Sequence, residues 1–65
     1  MPDFLSQIMT GILSEVREKH GFSVYTVKEV VDGVEWWRVF DPIRGTDITE
    51  YHQTEIQALS EALCR

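Results

Sequence analysis

The chain has 65 residues, 43% of them apolar, with seven aromatics and a net charge of −5 from 11 acidic and 6 basic side chains. That length makes one small domain, which buries only about 60% of the surface its unfolded chain exposes, and the apolar content excludes wholesale disorder. The negative balance repels polyanions at long range and so argues against non-specific binding to nucleic acid or an anionic membrane.

A single cysteine, Cys64, excludes an internal disulfide framework, so a reducing, cytoplasmic setting is expected. Met1-Pro2-Asp3-Phe4 lacks a basic n-region, so no signal peptide is expected. No apolar run approaches the ~18–20 residues that span a bilayer.

The first element is a helix over Phe4 to Lys19. Phe4, Leu5, Ile8, Met9, Ile12, Leu13 and Val16 form a wide apolar stripe on one helical face. Asp3 is placed to cap its start. Arg17, Lys19 and His20 sit at the negative end of its dipole, and Gly21 suits a left-handed C′ position. Gly11 costs about 1 kcal/mol relative to Ala; it reads as a tolerated surface glycine, with a close helix–helix approach as the alternative.

Residues Phe22 to Val31 and Val34 to Phe40 are rich in β-branched and aromatic side chains, and Asp32-Gly33 between them signals a hairpin. A two-residue turn would pair Val31 with Val34, setting Lys28 opposite Trp37 and Arg38 opposite Val27. A three-residue loop with a G1 bulge would pair Val30 with Val34, setting Val27 opposite Trp37 and Tyr25 opposite Val39. The second register gathers a compact apolar patch with charges only at its ends and is the expected one. It also sets Glu29 against Glu35, a like-charge pair that counts against it.

Asp41-Pro42-Ile43-Arg44-Gly45 is a turn, since Pro fixes φ and Gly permits the reversal. Thr46 to Tyr51 reads as a short third strand. Thr54-Glu55-Ile56-Gln57 matches a capping box and opens a last helix striped by Ile56, Leu59 and Leu63, helped by Ala62. Short connections make the strands an antiparallel meander. The expected fold is α+β, in two layers ordered α-β-β-β-α, with both helices on one face of the sheet.

Trp36 and Trp37 are the most informative pair. Neighbours on a strand point to opposite faces, so one indole enters the core and the other must lie on the far side. In the expected register the open face carries Val24, Thr26, Lys28, Trp36, Arg38 and Phe40. Such a mixture of aromatic and cationic groups has the composition of an interface hot spot.

Other polar groups point to no chemistry. His20, His52 and Cys64 lack the paired spacing of metal ligands. Asp41 and Asp47 read as turn residues, and Glu29 and Glu35 as solvated charge. No nucleophile elbow, P-loop or dinucleotide fingerprint occurs, so neither an enzyme nor a cofactor nor a small-molecule substrate is expected.

The α-β-β-β-α order over nearly the whole chain is similar to that of the double-stranded RNA-binding domain. That resemblance implies a fold only. The second helix opens with His52-Gln53-Thr54-Glu55-Ile56 in place of a basic cluster, and the hairpin turn Asp32-Gly33 lacks a histidine. Each departure removes a phosphate or minor-groove contact.

The expected function is that of a small cytoplasmic protein-interaction module, a phage or bacterial adaptor or inhibitor. It presents its sheet face to a protein partner or to itself as a homodimer. One alternative is a nucleic-acid binder using Lys28, Trp36, Arg38 and Arg44 as a local patch. The other is an acidic mimic of nucleic acid.

Overall fold

A computed structural model describes residues 4–65, the side chain of Leu5 excepted. The Asp3 cap and the Leu5 position of the helical stripe lie outside the described residues. The elements are α1 (Phe4–His20), β1 (Tyr25–Val31), β2 (Val34–Asp41), β3 (Thr46–Asp47) and α2 (Glu55–Cys64). The strands form one antiparallel sheet in the order β1-β2-β3. This is the α+β meander expected from the sequence.

Both helices lie on the sheet face that bears Val24 and Val39. Those two valines are fully buried with Val16 of α1 and with Ala58, Leu59 and Ala62 of α2. Met9, Ile12, Leu13, Trp37, Ile48 and Leu63 flank this centre. α2 makes the main contact with the sheet, and α1 packs chiefly along α2. The α1 stripe is therefore buried toward its C-terminal end, while Phe4 is exposed.

The two helices run parallel. Thr10 and Leu13 share a groove with Glu55 and Leu59, and the C-terminal ends meet at hydrogen bonds from Lys19 Nζ to the Leu63 carbonyl (2.6 Å) and from His20 Nε2 to the Ala62 carbonyl (2.8 Å). A carbonyl only accepts, so His20 carries the proton on Nε2. The last turn of α2 has no basic residue of its own. Lys19 and His20 of α1 thus serve the free carbonyls of α2.

Gly21 ends α1 with φ +130°, and its amide donates to the Arg17 carbonyl at 2.8 Å. Arg17 in turn donates Nε to the Val24 carbonyl at 3.0 Å. Thr54 is extended (φ −132°, ψ 152°), and its hydroxyl accepts from the Gln57 amide at 3.3 Å, which is the threonine half of the expected capping box. A Cβ on Gly11 would meet nothing within 4 Å, so Gly11 is a surface glycine and not a close helix contact.

The hairpin takes the two-residue turn, not the expected three-residue loop. Val31 pairs with Val34, Glu29 with Trp36, Lys28 with Trp37, and Tyr25 with Phe40. Asp32 has φ +52° and Gly33 φ +79°, and a type I′ turn needs positive φ at both central residues. Aspartate tolerates that region where most side chains do not. Side-chain charges agree with the choice. Glu29 bonds Arg38 and Lys28 lies 3.8 Å from Glu35, so the two glutamates are no longer opposed.

This one-residue slip leaves β2 as expected and exchanges the faces of β1. Val24, Thr26 and Lys28, expected on the open face, belong to the helix side. Val24 is fully buried, Thr26 donates its hydroxyl to Glu55 of α2 at 2.8 Å, and Lys28 Nζ stands 5.8 Å from the Trp37 ring centroid. Tyr25 and Val27 make the opposite move.

The third strand is shorter than the expected Thr46 to Tyr51. Phe40 pairs with Asp47, and Asp41 with Thr46. If that ladder simply continued, Trp37 would face Glu50. It faces His52 instead, exchanging both backbone hydrogen bonds with it at 2.6 and 2.7 Å. Two extra residues are therefore accommodated between, a special β-bulge. The Thr49 hydroxyl fills the gap in the ladder: it accepts from the Val39 amide at 3.0 Å and donates to the Glu50 carbonyl. Asp41 Oδ1 accepts from the amides of Ile43 and Arg44, so Asp41 is the turn residue expected of it.

Candidate functional site

The sheet face turned away from the helices has no layer over it among the described residues. β1 supplies Tyr25, Val27, Glu29 and Val31 to it, and β2 supplies Val34, Trp36, Arg38 and Phe40. The bulge adds Tyr51 from the segment beyond β3. Tyr25 and Phe40 meet edge to face with centroids 5.7 Å apart, and Tyr25 and Tyr51 remain 43% and 50% exposed.

Trp36 and Trp37 part as strand geometry requires. Trp37 packs against the core, while Trp36 faces outward and is half-buried among its neighbours. Trp36 lines an open groove of about 340 Å³ with Glu29, Val31 and Tyr51.

Arg38 lies on this face as expected, but it is not a free cation. Its guanidinium bonds Glu29 through Nη1 (2.5 Å) and Asp47 through Nε (2.9 Å), and Cζ stands 5.3 Å from the Tyr51 ring centroid. Only 17% of the side chain is exposed. The Glu29 hydrogen bond raises its pKa; partial burial works against that rise, and the Asp47 bond adds to it. Glu29, Asp47 and Tyr51 thus hold Arg38 flat against the sheet.

Of the six residues expected to form the surface, the structure places Trp36, Arg38 and Phe40 together on the open face and Val24, Thr26 and Lys28 behind it. Tyr25, Val27, Glu29 and Val31 were missed because they follow the register of β1. Their signal was present: the Asp-Gly preference for two-residue turns and the Glu29–Glu35 clash both favoured this register. Tyr51 carries no such signal, since a two-residue bulge is not written in an alternation pattern.

Behind the face, His52 ties the strand segment to α2. Its Nε2 meets Glu61 Oε1 at 2.5 Å, and Glu61 also receives Arg65 at 2.9 Å and the Glu50 amide at 3.4 Å. The His52 hydrogen bond lowers the Glu61 carboxyl pKa below its ordinary value. Burial opposes that, and the Glu50 amide and the charges of Arg65 and His52 reinforce it.

Among the described residues no group of three or more His, Cys, Asp or Glu side chains could hold a metal. His20 and His52 are engaged with the Ala62 carbonyl and Glu61, and Cys64 is exposed. No described helix is long and apolar enough to cross a membrane. No protein-family model, curated protein or solved structure matches the chain.

Proposed function

We propose that this chain is a small protein-interaction module, an adaptor or inhibitor that presents its open sheet face to a protein partner or to a second copy of itself. The observation that supports the reading is Trp36 in its setting. A large aromatic side chain points away from the core into an apolar groove beside Tyr51, with the Tyr25–Phe40 pair farther along the same face, and no described element covers that face. Tryptophan and tyrosine concentrate binding energy at interfaces because each removes much apolar surface from water at little rotamer cost. Neutralisation of Arg38 by two carboxylates argues against the nucleic-acid alternative, since phosphate binding needs uncompensated cations.

Trp36→Asp is the test. A charge on the open face should abolish dimerisation in light scattering, or capture of a partner, while circular dichroism stays that of the folded protein. A Trp36→Asp protein that unfolds, or that associates as before, refutes the reading.

A further inference from the structure

Three aromatic rings near the hairpin differ in one respect. Lys28 stands over Trp37 at 5.8 Å, and Arg38 stands over Tyr51 at 5.3 Å. Among the described residues no cation stands over Trp36, although an indole face attracts cations more strongly than a phenol or phenyl face. Beside that ring is Glu29, which lines the same groove. Its Oε1 is bonded to Arg38, its Oε2 has no partner among the described residues, and the side chain is 45% exposed.

Charge points the same way. Arg38 contributes +1 to this part of the face, and Glu29 and Asp47 contribute −2, leaving −1; the whole chain carries −5. A neutral apolar side chain filling the groove would strip water from the Glu29 oxygen without replacing its hydrogen bonds, which is costly. A side chain with an aliphatic stem and a cationic head avoids that cost. Its stem would lie along Val31 and its head between the Trp36 ring and Glu29 Oε2. A planar guanidinium stacks on an aromatic ring and bonds a carboxylate at once, which an ammonium does less well.

We propose that the Trp36–Glu29–Val31–Tyr51 groove receives an arginine side chain from a basic protein partner. The proposal rests on the interaction reading above and names the chemistry of the partner. Trp36 supplies the stacking face, Glu29 Oε2 the hydrogen-bond acceptor, and Tyr51 the far wall, kept in place by Arg38.

The test is a titration of the whole chain, following the two indole N–H resonances by NMR. The probes are N-acetyl-arginine amide and N-acetyl-citrulline amide, which has a similar planar head without the charge. The arginine probe is expected to shift the Trp36 resonance saturably and leave that of Trp37 in place. Citrulline should bind about three- to fivefold more weakly, the size of one exposed cation–π or ion-pair contribution. Glu29→Gln, checked for folding by circular dichroism, should weaken the arginine probe more than the citrulline probe, narrowing the difference between them. Equal binding of the two probes at Trp36 would overturn the cation assignment and leave the interaction reading standing. No shift at Trp36 with either probe would also overturn it, and the Trp36→Asp association experiment would then decide the interaction reading separately.

Discussion

Thr49→Val removes the hydroxyl that joins the segment after β3 to β2, and with it the bond from the Val39 amide and the weaker one to the more exposed Glu50 carbonyl. Thr49 is only 5% exposed, and its hydroxyl is the acceptor for the amide of Val39, itself fully buried. Valine keeps the shape and removes the acceptor. A buried amide without a partner costs about 1–3 kcal/mol. The new methyl in place of hydroxyl returns somewhat less than the ~0.8 kcal/mol of a fully buried CH₂ group. The net loss is about 1–2 kcal/mol, which for a domain of this size lowers Tm by roughly 4–16 °C. Urea unfolding should show a lower midpoint with an unchanged slope. Hydrogen exchange should show faster loss of protection at the Val39 amide than at neighbouring β1–β2 amides. Thr49→Ser is the control: it loses a methyl but keeps the oxygen, so Val39 stays protected. Wild-type stability together with a slow Val39 amide in Thr49→Val would refute the reasoning, because the side chain would then not be completing the ladder.

Other consequences are equally specific. Trp37→Ala should destabilise by about 3 kcal/mol, the low end for a core tryptophan because the ring is only partly buried, whereas Trp36→Ala should cost far less in the same thermal melt. Gly11→Ala should stabilise by about 0.8–1 kcal/mol, since the added methyl meets nothing and alanine prefers the helix. Gly33→Ala meets nothing either, yet should lose about 1–2 kcal/mol in urea because its φ of +79° disfavours a Cβ. Glu61 makes stability depend on pH. Its folded pKa lies below the unfolded one, so its contribution is fully present above the ordinary carboxylate range and is lost as pH falls through the depressed value. Unfolding followed from about pH 6 down to about pH 2 should therefore fall less steeply for Glu61→Gln than for wild type, and identical slopes would contradict the assignment.

Legibility in the sequence followed the range of the interaction responsible. The α1 stripe, the Thr54 cap and the Asp41 turn were readable because each depends on residues a few positions apart. The separation of Trp36 and Trp37 was readable for the same reason: alternation along a strand is local. The register of β1 was harder, because both hairpin loops satisfy local turn chemistry and differ in how distant side chains meet. Preference for a compact apolar patch favoured the wrong one. Pairing of Glu29 with Arg38 and of Lys28 with Glu35, together with the positive φ of Asp32, accompanies the other.

By itself the sequence determined the helices, the meander, the position of the hairpin and the outward course of one indole, since backbone geometry and side-chain period allow little else. Only the tertiary structure decided what surrounds that indole. Tyr51 reaches the open face through a bulge completed by a threonine hydroxyl, and Arg38 is held flat by carboxylates from two different segments. Such arrangements join residues far apart in the chain. They form only when the sheet and helices are assembled, because the free energy that selects them comes from burial and pairing across elements, not from any preference within one.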